Sequence, residues 1–174
     1  NHIKELFSKN DREGFYSWSG LRYFLYEYEL YLQDNANMKV SWEDFNKRKK
    51  EDTIEHIYPQ SPNDIYWKNR FGHLKPSEKR QYLNSLGNLL LLNRSKNSKL
   101  QNYDFDKKKC LLNKDGKEIG YYNGSYSEIE VSKHKEWTPD EIKKRGLLML
   151  QFMEERWKFS FDNWNISKED ILFP

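Results

Sequence analysis

Residues 52–59 read DTIEHIYP, and residues 86–102 read LGNLLLLNRSKNSKLQN. In the first stretch β-branched residues surround a short apolar alternation, and Pro59 closes it because proline has no N–H to give to a ladder. This predicts a strand. In the second, Gly87 punctuates the chain and a short apolar run lies between Asn88 and Asn93, which predicts a second, buried strand. RSKNSKLQ then suits a short helix with Ser95 near its start. Strand, loop, strand and helix make an α+β fold, with a small ββα core over residues 52–112.

Helical segments flank that core on both sides. Residues 15–33, FYSWSGLRYFLYEYELYLQ, carry Leu21, Phe24, Leu25, Tyr28 and Tyr31 or Leu32 at helical spacing, with Ser19 as the expected cap. DNANMK (34–39) reads as a turn and WEDFNKRKKED (42–52) as a short charged helix or solvated loop. Residues 61–86 read as loop and helix anchored by Trp67 and Phe71. Phe105 to Leu112 continues helically, and NKDGKEIGYYNGSYSE (113–128) is turn-rich. The last long helix opens on Thr138 as cap, with Pro139 at its first position and Glu141 at its third. Ile142, Leu147, Leu150, Met153 and Trp157 are expected to line its buried face. The expected organisation is one domain over 1–174: a helical flank at 1–50, the core at 52–112 and a second helical flank at 113–174. The opening Asn1-His2 suggests a piece, the C-terminal part, of a longer protein.

Composition narrows the functions. Apolar residues make up 36% of the 174, but aromatics reach 16%, so a few large rings can build the core. The net charge of +3 is compatible with a nucleic-acid partner only if the positive side chains cluster. A single cysteine, Cys110, excludes an internal disulfide and a zinc ribbon. It points to a reducing, cytoplasmic setting and is expected to be a small buried side chain. No window approaches the ~18 apolar residues of a membrane span.

The chemistry sits in Glu55, His56, Asn88 and Asn97. An acid beside a histidine is by itself more often a surface pair, and asparagine is common in turns. The joint spacing says more. Acid-His on a strand, Asn opening the next strand, and a second Asn nine residues later on a helix resemble the HNH, or ββα-metal, nuclease motif. The HNH domain of the CRISPR RNA-guided nucleases has the same acid-His-Ile-x-Pro-Gln-Ser run. HIYPQ, LGNLLLLNRSKNSKLQN, FDKKK and WTPDEIKKR together resemble the C-terminal nuclease half of GmrSD-type, modification-dependent restriction enzymes.

That resemblance implies a metal-dependent endonuclease or nickase that hydrolyses DNA phosphodiester bonds in restriction of foreign, phage or modified DNA. An N-terminal nucleotide-dependent domain would complete the intact protein. His56 would be the general base, since an imidazole with a pKa of roughly 6.5 accepts a proton near neutrality. Asn88 would fasten the base across the loop. Glu55 and Asn97 would hold Mg²⁺ or Mn²⁺ through hard oxygen donors. Glu stands where Asp is frequent and Asn97 where many relatives have His, which implies weak binding and a millimolar metal requirement. Neighbours on an ideal strand face opposite ways, so Glu55 and His56 share one site only if the strand ends or distorts before Pro59.

Arg94, Lys96, Lys99, Lys107 and Lys108 are the expected DNA contacts, with the NKRKK run (46–50) a lesser candidate. His73 and His134 lack the acid and Asn context and read as structural or surface residues. The tyrosines of the first helix read as core. The competing reading is a catalytically inactive HNH-like module that binds DNA or regulates a partner.

Overall fold

The computed structural model describes residues 14–33 and 41–174; the expected turn at 34–39 lies outside the described residues. The described helices are α1 (Leu21–Leu32), α2 (Trp42–Glu51), α3 (Ile65–Phe71), α4 (Pro76–Asn84), α5 (Arg94–Leu100), α6 (Phe105–Cys110), α7 (Tyr126–Ser132), α8 (Pro139–Trp157) and α9 (Lys168–Leu172). Two strands, β1 (Asp52–His56) and β2 (Leu89–Asn93), pair antiparallel, Asp52 opposite Asn93 and His56 opposite Leu89. The architecture is α+β: a two-stranded antiparallel sheet, its strands joined through α3 and α4, and helix α5 set among helices.

The strand pair stands between two apolar cores, and the period of two along a strand explains how. Leu89 and Leu91 of β2 join Phe24, Leu25, Leu86, Met149 and Leu150 on one face. Leu90 and Leu92 join Ile57, Trp67, Phe105, Tyr121 and Trp137 on the other. Leu89, Leu90 and Leu92 are almost wholly buried, each stabilising the fold by about 2 kcal/mol through the area it hides from water. A run of four leucines is what a strand covered on both faces requires.

Helix α8 fixes where β2 begins. Its capping box is the one expected: the Thr138 side chain accepts from Asp140 N–H and the Glu141 carboxylate takes the Thr138 N–H. The Leu86–Asn88 turn then lies directly on the α8 backbone. A Cβ on Gly87 would stand 1.9 Å from the Ile142 carbonyl oxygen and 2.7 Å from the Gly146 nitrogen. Gly87 is therefore needed for close approach rather than for an unusual φ. From α8, buried Arg145 donates to the carbonyls of Gly87 and Leu89, 2.9 Å each, and pairs with Glu130 at 3.0 Å.

Several expectations shift. Helix α1 starts at Leu21 with Gly20 before it and no side-chain cap, so Ser19 does not cap it; Gly14–Ser17 form a 3-10 turn instead. Leu21, Phe24, Leu25 and Tyr28 are buried, whereas Tyr31 is exposed. Residues 42–51 resolve as a helix, capped by the Ser41 side chain. Asn88 lies in the turn rather than on β2, and Asn93, not Ser95, caps α5 by accepting from Ser95 N–H. The stretch called turn-rich includes the start of α7, whose first amides are taken by the buried carboxylate of Glu29. Trp157 at the end of α8 is exposed. So is Cys110, whose thiol reaches the Asp106 carbonyl rather than the core.

Candidate functional site

A small polar cleft of about 150 Å³ opens where β1 ends, lined by Tyr16, Ile54, Glu55, His56, Pro59, Gln60, Asn97, Gln101 and Asn102. At ~30 Å³ per water it has room for about five water molecules. The strand stops at His56, after which Ile57 N–H reaches back to the Asn88 carbonyl at 3.0 Å. That bond continues the register of His56 opposite Leu89. Glu55 turns to Lys108 and Tyr121 and His56 to Asn84 and Tyr16, as the alternation of strand side chains requires, and both residues border the cleft.

His56 is almost entirely buried. Its Nε2 lies 3.3 Å from Asn84 Oδ1, and its ring packs on Tyr16 with centroids 4.6 Å apart. An amide oxygen as the neighbour favours the tautomer with the proton on Nε2, which leaves Nδ1 its lone pair. Burial, and then the nearby charge of Lys108, push the imidazole pKa down to about 4, against the opposing effect of the Asn84 bond. His56 is thus neutral at physiological pH.

Asn88 is completely buried and bonds in four directions. Its Oδ1 accepts from Tyr58 N–H at 2.7 Å and Trp137 Nε1–H at 3.1 Å; its Nδ2 donates to the carbonyls of Tyr58 at 3.0 Å and Leu83 at 2.9 Å. Every atom of the amide is engaged in holding the chain after β1 against the turn before β2. Asn88 sits outside the cleft lining and acts as the fastener.

Glu55 is held from behind. Lys108 Nζ lies 2.6 Å from Oε1, and Tyr121 donates its hydroxyl to the same oxygen at 3.0 Å. Burial, reinforced by Glu55, raises the Tyr121 pKa well above the ordinary phenol value, so the phenol stays a donor. Both bonds end on Oε1, leaving Oε2 without a hydrogen-bond partner among the described residues. Asn97, one helix away, gives its Nδ2–H to Thr53 Oγ1 at 2.9 Å, which turns its amide while Oδ1 remains an acceptor. A carboxylate and an amide bordering one polar cleft suit a hard divalent cation in chemical kind. Among the described residues, however, no group of three or more His, Cys, Asp or Glu is placed to hold a metal.

The expected DNA contacts divide. Arg94, Lys99 and Lys107 are exposed. Lys108 is not a DNA contact: it is fully buried, and its ammonium also donates to the carbonyls of His56 at 3.0 Å and Ile57 at 3.1 Å. Lys96 is likewise committed, to Glu128 and to the Asn123 carbonyl at 3.0 Å. Tyr16, Asn84 and Tyr121 support the site without having been singled out, and Lys108 supports it in a role other than the expected one; their signal lies in three-dimensional contact, not in local spacing. Gln101 adds a backbone feature: at the end of α5 its φ is +45°, in the sparsely populated region for a residue with a side chain.

The model of the GmrSD restriction endonucleases, C-terminal domain, matches residues 2–152. The chain belongs to this family. The match runs through β1, β2, α5 and most of α8, so all the side chains just described fall inside the GmrSD C-terminal domain. The family is one of restriction endonucleases, which makes this chain a nuclease domain and DNA its expected substrate. No curated protein and no solved structure matches it. Among the described residues, no helix is long and apolar enough to cross a membrane.

Proposed function

We propose that this GmrSD C-terminal domain is a metal-dependent HNH nuclease that hydrolyses DNA phosphodiester bonds one strand at a time, in restriction of foreign DNA within a longer protein that supplies recognition and nucleotide control. The observation that supports it is convergence. Glu55, His56 and Asn97, from a strand end and a helix, border one polar cleft while Asn88 bolts the loop between them.

His56 accepts the proton of the attacking water at Nδ1, while its Nε2–H stays on Asn84 and fixes the ring. The water oxygen bonds to phosphorus, the bond to the 3′ oxygen breaks, and the departing oxygen takes a proton from solvent. Tyr16 covers the imidazole and keeps it neutral before substrate arrives. The negative charge of an incoming phosphodiester offsets the nearby Lys108 and raises the basicity of the imidazole toward the working range. Glu55 Oε2 and Asn97 Oδ1 would hold Mg²⁺ or Mn²⁺, which when bound supplies polarisation of the phosphate and stabilises charge on the leaving oxygen. Having one carboxylate, already paired with Lys108, the donor set favours weak binding and a millimolar requirement.

The same Lys108–Glu55 pair favours one alternative, an inactive module that keeps the shape and lacks the metal. Supercoiled plasmid incubated with millimolar Mg²⁺ or Mn²⁺ separates the two. The parent is expected to convert it to open circles and His56→Ala to lose at least a hundredfold in rate. Equal rates in parent and variant, or no conversion by either, overturn the nuclease proposal.

A further inference from the structure

We infer that the DNA duplex leaves the cleft along a basic ribbon built from α5 and the end of α2, with Arg94, Lys50 and Lys47 as its phosphate contacts; the inference rests on the nuclease reading for its substrate. Asn97 on α5 and Gln101, the residue that ends the helix and whose N–H reaches the Asn97 carbonyl, both line the cleft. Arg94, three residues before Asn97, forms a row with it that reaches the start of the helix, and is exposed. The pairing of Asp52 with Asn93 then places the end of α2 beside the start of α5.

On α2 the inward face is set by Phe45, packed on Tyr23 and Tyr26, and by Arg48, stacked over the Tyr26 ring. Lys50 lies two residues on from Arg48, about 200° around the helix, and is exposed; Lys47, also exposed, stands at the rim of the opening between α1 and α2, beside Asp44 and Glu51. Among the described residues, no hydrogen bond or ion pair engages the side chain of Lys47, Lys50 or Arg94, in contrast to Lys96 and Lys108. Glu51 and half-buried Asp52 interrupt the row at the junction, and the Asp52 carbonyl is occupied by Arg22. At ~1.5 Å per helical residue, the seven steps from Gln101 to Arg94 cover roughly 10 Å. That is about three steps of one strand of B-DNA at ~3.4 Å each. Exposed cations spread over the start of α5 and the end of α2, rather than converging on one point, match a nucleic-acid backbone better than an acidic peptide.

The test measures binding of a 20-base-pair DNA duplex to His56→Ala protein in EDTA, across a series of salt concentrations. With Lys47→Gln, Lys50→Gln and Arg94→Gln combined, the slope of log affinity against log salt should fall in magnitude by about 2.7, at ~0.9 per lost contact. Lys114→Gln, Lys117→Gln and Lys133→Gln combined, an equal charge change on exposed residues away from the row, should leave the slope within about 0.5 of the parent's. An unchanged slope in the first variant, or equal falls in both, overturns the ribbon, as does a partner preference for single-stranded RNA over the duplex. A parent that nicks plasmid while the slope ignores the ribbon leaves the nuclease standing without it. A ribbon-dependent slope in a protein that never nicks sinks the nuclease and keeps the binding surface.

Discussion

Replacing Asn88 by alanine separates a fastener from a reacting group. The substitution removes partners from Tyr58 N–H, the Tyr58 carbonyl, the Leu83 carbonyl and Trp137 Nε1–H. Each buried polar group left unmatched costs about 1–3 kcal/mol. The four will not all stay dry, since the vacated space admits a water that satisfies two or three of them. A loss of about 4 kcal/mol is therefore expected, well above the ordinary mutational effect of ~1 kcal/mol. Urea denaturation followed by tryptophan fluorescence would show the midpoint falling by about 2 M, taking an m value of about 2 kcal/mol/M from the middle of the ~1–3 kcal/mol/M range. Thermal melts would fall by about 8–16 °C, at ~2–4 °C per kcal/mol for a chain of this size. Below the lowered melting temperature, residual nicking should persist at a reduced rate, because Asn88 touches only protein. A variant that keeps the parent's stability to within 1 kcal/mol while losing all nicking would refute this reasoning, placing Asn88 at the reacting phosphate.

The histidine gives a pH signature in metal-free buffer. The folded pKa of His56, about 4, lies below its ordinary 6.5, so as pH falls the unfolded chain takes up the proton first. Stability is complete above pH 6.5 and declines as pH drops toward 4. Between pH 7 and pH 5 the parent should lose about 2 kcal/mol more than His56→Asn, from the ~1.36 kcal/mol attached to each pH unit; parallel losses would remove the buried neutral imidazole from the account. Lys108→Met breaks a buried ion pair and should cost about 3–5 kcal/mol. Adding Glu55→Gln should recover part of that, because no unpaired carboxylate is left behind. Equilibrium unfolding of the two singles and the double measures this, and strictly additive losses would mean the pair is not coupled.

Much of the core was legible because it obeys local rules. The strand ending at Pro59, the leucine run after Gly87 and the Thr138-Pro139-Glu141 helix start each follow from backbone chemistry within a few residues. The same holds for the four motif residues, whose spacing fits a strand, turn and helix in succession. What failed needed helix phase or distant partners. Lys107, Lys108 and Lys109 are indistinguishable as a run, but α6 starts afresh after the positive-φ turn at Gln101, and its phase exposes Lys107 and buries Lys108. Lys96 was misread because Glu128 lies on a helix the turn-rich segment did not announce. Tyr16 was passed over because nothing near it in sequence reveals that its ring meets His56.

The contact of Gly87 against the backbone of α8 bears on how such domains can be recombined. All four motif residues lie within 52–112, which invites their use as a self-sufficient cassette. Cut there, the cassette would lose Trp137 from Asn88 and Arg145 from the carbonyls on either side of it. Chimaeras between homologues should keep both sides of that seam from one parent, with crossovers placed before α2 or after α8.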